Sequence, residues 1–443
     1  MHRITTLFSI SVLVCTFSAG VAWADGAVYA MTNALGNNEV LVFHRAADGA
    51  LSANAVQRIS TGGGGSGLQL AGVDSLGSAG SVQLDAANSL LFVVNTESAS
   101  ENNGAGPYNQ DCRQGTITSF RVAANGTLTF ADRVASGGLY PNSLTLRKRG
   151  EGESEAENGD LLYVLNAGGP GTCGMMPNVN GFRVNATGRM QPVGSQQTIE
   201  TGPPAGAGVN CPPIGFAPAA DFLCGLNPPS FPRSPAQVRF TPKGNQVIVS
   251  VKGTNSIYVF PVDENERLGK PVVTQAPGPG LPSFFAFTFD RQDHLLMTEL
   301  FGTATTIPAG GAGAVSTFSI EKAGQLDAIS SHVGDGGTAA CWIALDPASG
   351  AYAYVANNLS ASISSYTVQA NGAVTLLAGI AAAASGPNDL AAVKEDGASF
   401  LYVVNAASGT VGAFRIGTNG ALVPVSGGSG LPVNRGAQGL AAF

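Results

Sequence analysis

Residues Leu401–Leu422 read LYVVNAASGTVGAFRIGTNGAL. A short run rich in Val and Tyr ends at Asn405, a turn follows, and a second run ends on Phe414. Gly420 stands six residues after Phe414 and Leu422 eight after it, so a further turn leads into a third run. Runs of this composition, bounded by Gly, Asn and Ser, are β-strands joined by tight turns. The same frame recurs along the chain. The aromatics Phe43, Phe120, Phe182, Phe260, Phe318, Tyr366 and Phe414 are followed at the first offset by Gly49, Gly126, Gly188, Glu266, Gly324, Gly372 and Gly420. At the second offset stand Leu51, Leu128, Met190, Leu268, Leu326, Val374 and Leu422. Self-similarity held to a fixed frame marks a repeat architecture.

Ahead of six of the Asn405-type strands lies another apolar run, such as SVQLD from Ser81 or CWIAL from Cys341. Each unit therefore holds four strands, A to D in chain order. The first unit lacks strand A, and the chain ends in AQGLAAF, Ala437 to Phe443, a strand A without a unit. Circular closure resolves both facts. The expected fold is all-β: a seven-bladed β-propeller with four antiparallel strands per blade, its first blade closed by the C-terminal strand. Radial repetition of this kind leaves only short, protected sheet edges.

Composition agrees. In 443 residues there are 60 Gly, only 12% charged residues and 44% hydrophobic ones, which excludes a disordered chain and a long helical one. The length suits two or three average domains or one large ring. A net charge of −7 argues against a nucleic-acid partner. His2 and Arg3, an apolar stretch from Ile4 to Val21, and Ala22-Trp23-Ala24 read as a secretory signal peptide over residues 1–24. Residues 25–443 are then one propeller domain. No later run is long and apolar enough to span a bilayer, so a secreted or periplasmic monomer is expected. Of the five remaining cysteines, Cys211 and Cys224 flank one Pro-rich loop and form the first expected disulfide. Cys341 lies in an apolar run and reads as a core residue.

In an antiparallel blade the B–C and D–A connections emerge on one face, here termed the upper face. Phe318 to Tyr366 and Tyr366 to Phe414 are each 48 residues, and the excess elsewhere falls mainly in upper-face loops. Cys112 and Cys173 sit in B–C loops of adjacent blades on that face and form the second expected pair. Function usually resides where loops gather on a rigid scaffold. Substrate-binding candidates there are Asn95, Asn166, Asn357 and Asn405 at the ends of strands B, with Lys252 and Arg435. Asn at a strand end also closes turns through its side chain. Arg233, just before a strand A, and Glu299, at a B–C position, are the catalytic candidates. His44 ends a strand C, His294 sits in a turn and His332 falls in a D–A loop, with no obvious triad among them. TGGGGSG from Thr61 lacks the Lys-Ser/Thr of a phosphate loop and reads as a flexible linker. Neither a Cys/His metal cluster nor a cofactor motif occurs, so no metal and no cofactor are expected.

The unit Leu-Tyr-Val-x-Asn … Phe-x-x-x-x-x-Gly-x-Leu, as in Leu401–Leu422, resembles the 6-phosphogluconolactonase-like and carboxymuconate cyclase-like propellers of the lactonase family. A similar strand-B motif occurs in YVTN-type surface propellers. The resemblance runs through all seven blades and implies a small lactone or carboxylate substrate handled by Arg, His and Glu at the channel mouth. Pro232-Arg233 matches the family Arg, but Ser234 stands where the family has His and Lys252 where it has Glu. A second family Arg is replaced in Thr338-Ala339-Ala340. Two readings follow. One is an enzyme that hydrolyses or forms a lactone, with Arg233 on the substrate carboxylate or oxyanion and Glu299 as acid/base. The other is a non-catalytic propeller that binds a surface partner, a protein or polymer, through its decorated face.

Overall fold

The structure, a computed structural model, describes residues 26–67, 74, 76–97, 112–147, 160–168, 175–199, 234–252, 255–275, 284–300 and 313–443. Blade 1 is β1 (Ala27–Met31), β2 (Glu39–His44) and β3 (Gln57–Ser60). Blade 2 is β4 (Val82–Asp85), β5 (Leu90–Asn95), β6 (Gln114–Val122) and β7 (Leu128–Leu139). Blade 3 is β8 (Pro141–Arg147), β9 (Asp160–Asn166), β10 (Asn178–Val184) and β11 (Met190–Thr198). Blade 4 is β12 (Pro235–Phe240), β13 (Gln246–Val251), β14 (Ser256–Pro261) and β15 (Val272–Gln275). Blade 5 is β16 (Phe284–Phe289), β17 (Leu295–Glu299), β18 (Ala314–Ile320) and β19 (Leu326–Gly334). Blade 6 is β20 (Ala340–Leu345), β21 (Tyr352–Asn357), β22 (Ser362–Val368) and β23 (Val374–Ala383). Blade 7 is β24 (Pro387–Glu395), β25 (Ala398–Asn405), β26 (Thr410–Ile416) and β27 (Leu422–Ser429). The last strand, β28 (Leu440–Ala442), pairs antiparallel with β1 through Tyr29 and Ala441 and supplies the missing strand A of blade 1. Seven four-stranded antiparallel sheets result, as the repeat demands.

The repeat residues have separable jobs. All seven frame aromatics are buried between blades. The turn position has a left-handed backbone throughout, with φ from +78° to +91° at its six glycines. Glu266 alone breaks the glycine pattern and still adopts φ +62°. Glycine is favoured here because a Cβ costs energy at positive φ. The carbonyl at this turn also ties neighbouring blades together. Tyr29 Oη donates to Gly126 O at 2.8 Å, Tyr163 to Glu266 O at 2.7 Å, Tyr354 to Gly420 O at 2.9 Å and Tyr402 to Gly49 O at 3.0 Å. The strand-B tyrosine thus joins one blade to the turn of the next.

Two local expectations change. In blades 1 and 4 the frame residues Leu51 and Leu268 make isolated bridges, and strand D proper begins only at Gln57 and Val272. The Gly-rich run after Thr61 is no flexible linker. Gly63–Gly67 are buried, Gly64 N donates to Glu97 Oε2 at 3.1 Å, and a Cβ on Gly65 would lie 2.3 Å from the carbonyl of Asn33. Glycine is needed there for close approach of two backbones.

The A strands form the inner ring around a central channel. Asn142 of blade 3 donates to Pro235 O of blade 4 at 2.9 Å, and Asn388 of blade 7 donates to Ala437 O at 3.3 Å. Among the described residues no helix is long and apolar enough to cross a membrane.

Candidate active site on the upper face

The upper mouth of the channel is filled by the chain itself. The connection from blade 1 to blade 2 brings Asp74 and Leu76–Gly80 across the inner ring. The Asp74 carboxylate accepts the backbone N–H groups of Leu76, Gly77 and Ser78 at 2.9–3.0 Å. Ser78 O accepts Trp342 Nε1 of blade 6 at 3.1 Å and the amide of Gln438. Ser78 Oγ donates to Asn142 O at 2.7 Å, and Ala79 N to Ala236 O at 3.1 Å. Contacts to blades 1, 3, 4 and 6 make this segment a plug.

Lys252 completes the plug from the end of β13. It is fully buried, donates to Gly77 O, and holds Nζ 5.0 Å from the centre of the Phe285 ring. Burial pushes the Asp74 carboxyl up and the Lys252 ammonium down, and each charge opposes the other's shift. The pair is a closed structural unit at the position where substrate contact was expected of Lys252.

A second arrangement lies in blade 5. Glu299 ends β17, is fully buried, and accepts Ser316 Oγ of β18 at 2.5 Å through Oε1. Its Oε2 lies 2.6 Å from His332 Nδ1. The His332 backbone N–H in turn donates to Ser316 Oγ at 2.9 Å. His332 reaches across strand C because of the backbone. Between the pairs Val315–Val333 and Thr317–Ser330 the register shifts, so Ser331 and His332 together oppose Ser316. At this bulge His332 has φ +52°. Bulges re-aim side chains in this way and gather beside functional sites. His332 therefore sits within β19 and not in the loop beyond it, a correction to the sequence reading. The frame already carried the signal, since His332 lies within one strand length of Leu326.

Glu299 accepting at Nδ1 leaves His332 Nε2 uncommitted to the carboxylate, and the side chain is 23% exposed. A carboxylate that orients an imidazole while its second nitrogen stays accessible is an acid/base arrangement. Asp335 lies three residues further along the chain. It accepts Gly337 N at 2.7 Å and Ser364 Oγ at 3.0 Å, and burial raises its carboxyl above the ordinary value.

The asparagines occupy the Glu299 position in other blades and link strand ends. Asn95 donates to Thr116 and Thr118 Oγ1 at 3.1 and 3.0 Å and accepts Thr61 Oγ1 at 2.6 Å. Asn166 donates to Asn178 Oδ1 at 3.0 Å, and Asn357 to Ser364 Oγ at 3.2 Å. Asn405 accepts Ser385 N at 3.0 Å. Arg435 is exposed. Arg233, Cys173, Cys211 and Cys224 lie outside the described residues. Cys112 is disulfide-bonded, and Cys341 is a buried free thiol, as its apolar run suggested.

Comparison with known proteins gives the same frame. A family model described as "Lactonase, 7-bladed beta-propeller" matches residues 233–433. A periplasmic gluconolactonase from Pseudomonas aeruginosa has a similar structure, with 16% identity over 94% of this chain and 99% of that one and a TM-score of 0.61. A Bacteroides uniformis protein provisionally named a 6-phosphogluconolactonase aligns at 13% identity, over 95% and 100% of the two chains, with a TM-score of 0.60. These identities carry the fold and not the activity. No curated protein matches the sequence. The repeat frame and the closed ring make this chain a seven-bladed β-propeller, and its residues 233–433 are similar to the lactonase family.

Proposed function

We propose that the chain hydrolyses a small lactone on its upper face, with His332 as the acid/base group held by Glu299. The observation that carries this reading is the 2.6 Å contact between Glu299 Oε2 and His332 Nδ1, which leaves Nε2 outside that contact. His332 Nε2 takes a proton from water as the water oxygen adds to the lactone carbonyl. The ring C–O bond then breaks, the proton passes to the departing alkoxide, and a hydroxy acid results. Arg233 supplies the positive charge for the developing oxyanion or a substrate carboxylate. Glu299 thus acts through His332, in place of the direct acid/base role first assigned to it.

Export to the periplasm or beyond, after loss of residues 1–24, belongs to the same proposal. The disulfide at Cys112 supports it, because disulfides persist in oxidising compartments. The pairings Cys112–Cys173 and Cys211–Cys224 remain as proposed, and peptide mapping without reduction tests them.

A panel of five- and six-membered lactones, followed by pH-stat on the purified chain, tests the activity. Turnover that disappears in both His332→Ala and Arg233→Ala supports the reading. Turnover unchanged in either variant removes that residue from it. The filled channel mouth favours a second reading, a binder of a protein or polymer through the decorated face. Absence of turnover across the whole panel, with a partner retained by the intact chain and lost on deleting residues 198–233, selects that alternative.

A further inference from the structure

Below the plug the channel is not filled. A cavity of about 340 Å³ runs down it, lined by A strands of all seven blades. Buried Ala79 and Trp342 close it above, and it reaches exposed Ala86 at its lower end. It therefore opens on the face opposite the His332 site. Apolar side chains, including Leu84, Phe287 and Ile343, line part of it beside polar surface.

Two lining groups are ionisable, Arg239 and Asp389. Arg239 is exposed to the channel, and the protein packed around that channel lowers its pKa. Its guanidinium carbon stands 5.8 Å from the centre of the Phe289 ring. Nη1 makes two long contacts, 3.3 Å to Thr288 Oγ1 and 3.5 Å to Phe287 O. Among the described residues no carboxylate pairs with it. Asp389 starts two residues higher in the equivalent register, since Pro387 and Pro235 are the first paired residues of their strands. Burial, joined by the nearby Asp74 charge, pushes its carboxyl up to about 8. Asp389 is therefore mainly protonated near neutral pH and leaves the Arg239 charge uncompensated.

A guanidinium that faces a channel with no carboxylate partner among the described residues is open to an anion from outside. We propose that the lower channel is a binding site for a small organic carboxylate with an apolar body, its carboxylate held by Arg239. The planar guanidinium matches a carboxylate through two parallel N–H donors, and among the described residues Nε and Nη2 make no hydrogen bond. The cavity volume is at the small end of ligand pockets, which suits a body of about six to eight carbons. This site is separate from the proposed lactone site and opens on the other face.

Calorimetric titration of the intact chain with hexanoate, with hexan-1-ol as the neutral control and inorganic phosphate as competitor, tests the assignment. Hexanoate is expected to bind, hexanol at least about tenfold more weakly, and phosphate at equal ionic strength not to displace it. Arg239→Gln is expected to weaken hexanoate at least about tenfold. Arg239→Lys, which keeps the charge but loses the fork, is expected to fall between. Equal binding by all three proteins, equal binding of hexanoate and hexanol, displacement by phosphate, or no hexanoate binding to the native chain each overturns the proposal. If Arg239→Gln does not fold, the Arg239→Lys result decides alone. The lactone panel is unaffected by either outcome, so this site and the lactone site stand or fall separately.

Discussion

Blades 5 and 7 share four strands, a frame aromatic and a register shift in strand D, yet only blade 5 holds a histidine and a carboxylate together there. In blade 7 the shift lies between the pairs Val411–Gly428 and Ala413–Val425, so Ser426 and Gly427 oppose Gly412. A Cβ on Gly427 would lie 2.3 Å from Val411 O, and one on Gly412 would lie 3.0 Å from the Asn405 amide. That bulge is closed around bare backbone. In blade 5 the corresponding residues are His332, Ser316 and Glu299, and the backbone turns to φ +52° to make room for the imidazole. One bulge serves to shape a sheet; the other has become a mount. Blade 4 shows a third outcome, in which Lys252 at the end of strand B is consumed by the plug.

The contrast can be broken most sharply at His332. His332→Ala is expected to lower lactone turnover by about 10²–10⁴-fold, the usual contribution of a positioned acid/base group, while the melting temperature stays nearly constant. Glu299→Asn would give blade 5 the residue of blade 7. It is expected to reduce kcat by at least about tenfold and shift the pH profile, since the imidazole loses its fixed tautomer.

At the plug the effect moves to stability. Lys252→Met leaves the buried Asp74 carboxyl without its cation and is expected to cost about 3–5 kcal/mol in denaturant unfolding. Adding Asp74→Asn to that variant should recover much of the loss. Gly427→His, an attempt to copy the mount into blade 7, is expected to destabilise by about 1–3 kcal/mol through its clash with Val411 O, with no new activity.

The smallest effect is one of pH. Asp389 has its carboxyl raised to about 8 by burial, so the folded state holds its proton where the unfolded state has lost it. Its stabilising contribution is complete below about pH 4 and declines as pH rises through about 8. Asp389→Asn is expected to flatten that decline. The fall in melting temperature between pH 5 and pH 8.5 should shrink by roughly 5 °C.

Ring, blade count and closure were all legible in the sequence, because each blade repeats the same aromatic, turn and apolar residue at fixed offsets. The candidate site was legible only in part. Glu299 stands in the frame position of Asn95, Asn166, Asn357 and Asn405, and its difference from them is visible in one line of text. Its partner is not, because His332 reaches it only through a two-for-one bulge. Sequence spacing assumes even pairing, and such a bulge breaks that assumption. The plug was hidden for a different reason. Asp74 belongs to an irregular connection whose path follows hydrogen bonds to residues as far off as Gln438, which no periodicity encodes. The Gly-rich run misled in the same way, since glycine for a close approach and glycine for a loose linker look alike in sequence.

The seam between β1 and β28 joins the two ends of the described chain. Asn33 Nδ2 donates to Gly436 O at 3.1 Å across 403 positions, and Arg45 Nε to Phe443 O at 2.9 Å across 398. Contacts so distant along the chain form slowly, because the loop between them must close first. Until β28 has been synthesised and docked, the ring remains an open arc with β1 as a bare edge and the apolar face of blade 1 exposed. Such arcs invite pairing with other chains. Closure of this seam is therefore expected to be a late step of folding, with shielding of the open arc favouring the yield of folded protein.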